Sequence, residues 1–223
     1  MPAVRKLAAI VFTDIVGYTA KMGNDEEAGL QLLKTKRELL QPIVKKFEGT
    51  ILKELGDGML LSFNNSPDAV QFAMEVQQIL AEKKPFELRI GIHAGDVIFE
   101  NNDVFGDGVN IAARVQPNSI PGGICISKTV YEQVQNQIPL EVISLGKRKL
   151  KGVKKLAQLY AVKGNGIKTQ NIYHRYITRP RVQRSIYSLV SLIFCAAIYF
   201  SVPYFVNDEI SSLPSLGILQ LKN

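Results

Sequence analysis

Two aspartates, Asp14 and Asp57, stand where a folded chain could bring carboxylates together. Asp14 falls near the end of the apolar, β-branched run from Leu7 to Val16, and Asp57 lies between Gly56 and Gly58 at the tip of a predicted hairpin. Carboxylates at a strand end and at a neighbouring hairpin tip can converge on one point, which is how two divalent ions are held for phosphoryl chemistry. An aspartate at a strand end and a Gly-Asp-Gly turn are also ordinary hairpin chemistry, so the pair alone leaves both readings open. Asn110 and Arg114 lie four apart on one face of a predicted helix, behind a glycine-rich turn, and Asp103 precedes Asn110 by seven. By themselves they read as a helix cap and a surface ion pair.

The elements that would position these residues follow from periodicity. A buried strand is predicted from Leu7 to Val16, closed by Gly17. Ala28, Leu32, Leu33, Leu40, Ile43, Val44 and Phe47 fit one face of a helix over 25–47, with Pro42 expected to kink it and Gly49 to end it. Thr50 to Leu55 and Met59 to Phe63 read as the hairpin. Ser66, Pro67 and Asp68 read as the start of a second helix, with Ser66 as its N-cap, Ala69 to Leu80 as its apolar stripe and Pro85 beyond its end. A strand over 87–99, interrupted by Gly91 and Gly95, leads to a short helix over 107–115. A strand at 124–127, a helix at 129–135 and strands at 142–145 and 156–162 complete the domain. The order β, α, β, β, α, β with additions predicts an α+β fold with a ferredoxin-like βαββαβ core, an antiparallel sheet carrying helices on one face.

The chain has 223 residues, is 46% hydrophobic and carries a net charge of +7. Residues 1–162 net only +2, whereas residues 163–184 hold six basic groups and no acid. The basicity is therefore local to a linker and argues against a nucleic-acid-binding face. Beyond it, Ile186 to Val206 is 21 residues without a charge, with Asp208 and Glu209 on its far side. It reads as a transmembrane helix, and the positive-inside rule puts residues 1–184 on the cytoplasmic face of the inner or plasma membrane. The predicted organisation is a catalytic domain at 1–163, a basic juxtamembrane linker at 164–184, a membrane helix at 185–206 and a short tail at 207–223. The apolar run at the N-terminus is too short for a secretion signal and is broken by Asp14. Cys125 and Cys195 lie in contexts too different to suggest a disulfide.

The stretches FTDIVGYT, KELGDGMLLSF, RIGIHAGDV, DVFGDGVNIAAR and LKGVKKLAQLYAV occur in that order. Together they resemble the class III adenylyl and guanylyl cyclase catalytic domain, over about residues 5–163. The resemblance implies that Asp14 and Asp57, with the backbone carbonyl of Ile15, hold two Mg²⁺ or Mn²⁺ ions. It implies that Lys53 and Asp103 read the purine, that Asn110 orients the ribose and that Arg114 stabilises charge developing on the phosphate. A lysine donor beside a carboxylate acceptor suits adenine, whose edge offers an acceptor beside a donor, and guanine presents the reverse. Guanylyl cyclases of this family typically carry glutamate and a small polar residue there.

The activity implied is adenylyl cyclase, converting ATP to 3′,5′-cyclic AMP and pyrophosphate in a homodimer whose two sites form across the interface. Lys151 reads either as an added phosphate contact or as part of a solvated charge run, and His93 as a satisfied strand histidine. The competing readings are a guanylyl cyclase, disfavoured by Lys53 and Asp103, and a silent dimerisation module, disfavoured because all six site side chains are present. A diguanylate cyclase or polymerase-palm enzyme would share the strand order and carboxylates, but no GGDEF-like hairpin is present.

Overall fold

The apolar N-terminal run forms the central strand β1 (Val4–Ile15) of the computed structural model, which describes residues 3–100, 103–153 and 155–170. After it come α1 (Tyr18–Asn24), α2 (Glu26–Lys46), β2 (Thr50–Leu55), β3 (Gly58–Phe63), α3 (Ser66–Lys83) and β4 (Leu88–Glu100). Next are β5 (Asp103–Phe105), α4 (Asp107–Val115), a 3-10 turn (Gln116–Asn118), β6 (Ile124–Ser127), α5 (Lys128–Val134), β7 (Glu141–Arg148) and β8 (Ala157–Lys163). The sheet order is β2-β3-β1-β4-β6-β8-β7, with β5 paired to β4. Its first four strands are the expected βαββαβ unit, all antiparallel.

Two features correct the expected fold. The sheet is mixed, because β6 runs parallel to β4; the chain crosses over through α4 instead of a hairpin. The helices also occupy both faces. Side chains alternate along β1, so Ala9 and Val11 join Leu61, Phe63, Ile90 and Ile92 under α2, α3 and α5. Ala8 and Ile10 project the other way and pack with Leu60, Val97 and Ala112 of α4. Being covered on both sides explains why β1 reads as an unbroken apolar run.

Capping residues set the helix starts. Asp25 accepts from the Ala28 backbone N–H at 2.9 Å to open α2, which continues through Pro42. The cap of α3 is Asn65, not Ser66; its side chain accepts from Asp68 N–H at 2.9 Å, leaving Ser66 and Pro67 inside the first turn.

Gly91 and Gly95 do not interrupt β4. They let α4 and the 3-10 turn lie directly on it: a Cβ on Gly91 would fall 2.3 Å from the Gln116 backbone, and one on Gly95 3.2 Å from Gly108 Cα. The compact body extends to Gln170, where Lys168 N–H donates to the Gly122 carbonyl and Gln170 Nε2 to the Asn118 carbonyl, each at 2.9 Å. Among the described residues no helix is long and apolar enough to cross a membrane, and the expected span at 185–206 lies outside them.

Candidate active site

Asp14 is the last even-numbered residue of β1, so its side chain leaves the sheet on the face that carries α4, where it is half-buried. The β2–β3 turn delivers Asp57 to the same place. Burial raises the Asp14 carboxyl above the ordinary carboxylate range, and the adjoining Asp57 raises it further. Two residues pull the other way. Arg89, opposite Asp14 in the β1–β4 register, brings Nη1 to 3.9 Å of its Oδ2. Gln116, whose amide lies close to Asp14, weakly favours the charged carboxylate, although its buried Nε2 has no partner within hydrogen-bonding distance among the described residues.

Two neighbouring carboxylates of which one resists ionisation form a site short of positive charge. Their donors are hard oxygens, the chemistry that Mg²⁺ or Mn²⁺ selects. Among the described residues no group of three or more His, Cys, Asp and Glu side chains is placed to hold a metal. A divalent ion here would thus rest on these two carboxylates together with backbone, water or substrate oxygens. The Ile15 side chain is buried in the core under α2 and α3, and its backbone pairs with Leu88.

The second cluster lies along the same hairpin. Lys53 Nζ donates to Asp103 Oδ2 at 2.6 Å, across 50 residues of sequence. The Lys53 contact, with the Val104 backbone N–H donating to Oδ1 at 2.7 Å, holds the Asp103 carboxyl below its ordinary range. β5, a three-residue strand that the sequence pattern did not reveal, sets Asp103 against the end of β4. A charged donor and a charged acceptor therefore stand side by side, half-exposed.

Asn110 and Arg114 are exposed on α4. Neither side chain makes a hydrogen bond or ion pair with another described residue, so within one chain they join neither the aspartate pair nor the lysine–aspartate pair. Asn118 Nδ2 donates to the Arg114 carbonyl at 2.9 Å, closing the end of α4. Lys151 is exposed in the turn between β7 and β8. His93 is buried, with Nδ1 2.8 Å from Ser127 Oγ, and burial lowers its pKa to about 4. It stays neutral as a structural group. The Cys125 thiol, pushed up to about 12 by burial, is inert.

Three residues around the site were not anticipated: Arg89, Gln116 and Lys36. Pairing β1 with β4 would have placed Arg89 beside Asp14. Lys36 carried a plainer signal, since it falls four after Leu32 and four before Leu40 on the apolar stripe of α2. Gln116 follows the helix in a turn and had no sequence signal.

Residues 4–164 match the family model for the adenylate and guanylate cyclase catalytic domain. A crystal structure of an adenylate/guanylate cyclase/hydrolase from Silicibacter pomeroyi superposes with a TM-score of 0.69 at 34% identity, over 73% of this chain and 99% of that one. The adenylyl cyclase CyaB from P. aeruginosa shares the fold, with a TM-score of 0.66 at 24% identity over 77% of this chain and 98% of that one. A Rhizobium meliloti (strain 1021) protein that carries an adenylate cyclase name is 35% identical over 164 residues, which are 70% of this chain. The match spans only 28% of that relative's length.

Proposed function

We propose that this chain, which belongs to the adenylate and guanylate cyclase catalytic-domain family, is an adenylyl cyclase that converts ATP to 3′,5′-cyclic AMP and pyrophosphate. The observation that carries the word adenylyl is the 2.6 Å contact between Lys53 and Asp103. It presents a donor beside an acceptor, the complement of adenine's edge; a guanine edge would set donor against donor and acceptor against acceptor.

Asp14 and Asp57 would hold two Mg²⁺ or Mn²⁺ ions, with the Ile15 carbonyl as a further ligand. Such ions supply charge neutralisation at the phosphates and lower the pKa of the ribose hydroxyl. The chain's own residues do the rest. Lys53 donates to the adenine ring nitrogen and Asp103 accepts from its amine, which fixes the base. Asn110 orients the ribose so that its 3′ oxygen lies in line with the α-phosphorus. The 3′ hydroxyl gives its proton to water, a bond forms between those atoms as the bond to the pyrophosphate oxygen breaks, and the Arg114 guanidinium stabilises the charge that develops on the phosphate. Lys151 adds a phosphate contact from the β7–β8 turn.

Among the described residues the Asn110 and Arg114 side chains make no hydrogen bond or ion pair with Asp14 or Asp57, which favours a head-to-tail homodimer. One chain would supply Asp14 and Asp57, and its partner Lys53, Asp103, Asn110 and Arg114, giving two equivalent sites. Mixing an Asp14→Ala, Asp57→Ala variant with an Arg114→Ala variant tests this. Each alone is expected to be inactive and the mixture to recover part of the activity; a dead mixture contradicts the shared site.

The same proposal places the chain in the inner or plasma membrane through residues 185–206, with the catalytic domain on the cytoplasmic face and the basic residues between Gln170 and that span against anionic headgroups. Its support is the uncharged segment preceded by Arg175, Arg179, Arg181 and Arg184. Carbonate extraction of membranes from cells expressing the full chain tests it. Retention in the pellet is expected, and release into the supernatant contradicts it.

A further inference from the structure

The Lys36 side chain is fully buried, among the largest in the domain to be so. It sits on the buried stripe of α2, in line with Leu32 and Leu40, where an ammonium group is costly unless its donors are met. They are met by backbone alone. Nζ donates to the carbonyls of Gly56, Asp57 and Gly58 at 3.4, 3.2 and 3.3 Å, and among the described residues no carboxylate comes within ion-pair distance.

Three successive carbonyls aimed at one point would otherwise repel one another. The left-handed conformation of Gly56, φ 61°, is part of what lets them converge. Because they face α2, the turn is fixed in the orientation that sets the Asp57 side chain beside Asp14 on the opposite face of the sheet. A different group ties α2 to the rest of the hairpin: Arg37 donates to both carboxylate oxygens of Glu54, at 2.8 and 2.7 Å, on the surface.

We propose that Lys36 is a positioning residue for the metal site, a tripod that holds the Gly56–Gly58 turn so that Asp57 meets Asp14 at the spacing a divalent ion requires. This rests on the metal-dependent reading above. Lys36 touches neither the ion nor the substrate. It acts through the backbone of Asp57, as an outer partner that orients a ligand.

The test compares Mn²⁺ binding to the purified full chain, followed by the spectroscopic signal of free Mn²⁺, in wild type, Lys36→Met and Arg37→Met. Lys36→Met keeps the bulk and removes all three donors; it is expected to bind Mn²⁺ about 10- to 100-fold more weakly. Arg37→Met, which cuts only the surface tie, is expected to stay within about twofold of wild type, as exposed pairs contribute little. In turnover assays the half-activating Mn²⁺ concentration should rise for Lys36→Met, with a smaller change in the KM for ATP at saturating metal.

Unchanged Mn²⁺ affinity in folded Lys36→Met overturns the proposal, as does an equal loss in Arg37→Met. If Lys36→Met does not fold, Lys36→Gln is read by the same criterion, and if neither retains helical circular dichroism the lysine is a folding residue and the proposal fails. The binding readout needs no product. Wild type that binds Mn²⁺ without turning over ATP would sink the cyclase reading while leaving the Lys36 comparison intact.

Discussion

The β2–β3 hairpin carries one member of each of two charged pairs, and the pairs are in opposite electrostatic states. At its tip Asp57 adjoins Asp14, whose carboxyl is held above its ordinary range by burial and then by Asp57. Four residues earlier Lys53 meets Asp103, a pair that already satisfies itself at 2.6 Å. The first pair is only partly offset by Arg89, 3.9 Å from Asp14; the second is already matched and must open, or share its hydrogen bonds, when a base arrives. Metal is therefore expected to bind at a site that gains from it, and the purine at a site that exchanges one set of bonds for another. That difference assigns affinity to the metal pair and discrimination to the lysine–aspartate pair.

The comparison can be broken most severely at the metal pair. Asp57→Ala is expected to lower kcat/KM by about a thousandfold or more, since several kcal/mol of stabilisation at about 1.4 kcal/mol per decade is lost with the ion. Steady-state product formation measures it. The same pair makes a prediction in the opposite direction. Asp14 has its carboxyl raised, so the folded state without metal holds the proton more tightly than the unfolded chain, and stability falls as pH rises through that folded value. Asp14→Asn should then raise the thermal midpoint of the metal-free protein at neutral pH and abolish the further rise that Mn²⁺ gives wild type.

The second pair sharpens the comparison. Replacing Lys53→Glu together with Asp103→Ser should shift the ratio of ATP to GTP turnover by about two orders of magnitude, with a much smaller change in Mn²⁺ affinity. A large loss of Mn²⁺ binding in that variant would merge the two functions that the geometry separates.

The smallest effect concerns a group outside both pairs. His93, lowered to about 4 against about 6.5 when unfolded, contributes stability that is present above pH 6.5 and lost as pH falls toward 4, up to about 3 kcal/mol. In His93→Gln that acid limb should flatten in denaturant titrations, and turnover near neutral pH should be little changed.

Where a residue's role is local, the sequence was legible. β1, α2, the hairpin, α3 and α4 lie within a few residues of their predicted places, because apolar periodicity and turn chemistry act over short distances. What periodicity cannot carry is which face a helix takes. α4 lies opposite α2, α3 and α5, a fact set by the glycines of β4 and by the crossover to a parallel β6. Short elements escaped for a related reason: β5 is three residues long and has meaning only through its pairing with β4. Within the site, the aspartates were visible as motif positions. Lys36 was visible only as an exception, a charge on an apolar stripe, and its purpose needed the three carbonyls it meets.

The most direct measurement is to incubate the purified chain with Mn²⁺ and equal concentrations of ATP and GTP and to identify the cyclic nucleotide formed. Cyclic AMP with an equal yield of pyrophosphate is the predicted result. A predominance of cyclic GMP would contradict the role given to Lys53 and Asp103, and no cyclic product from either nucleotide would contradict the account as a whole.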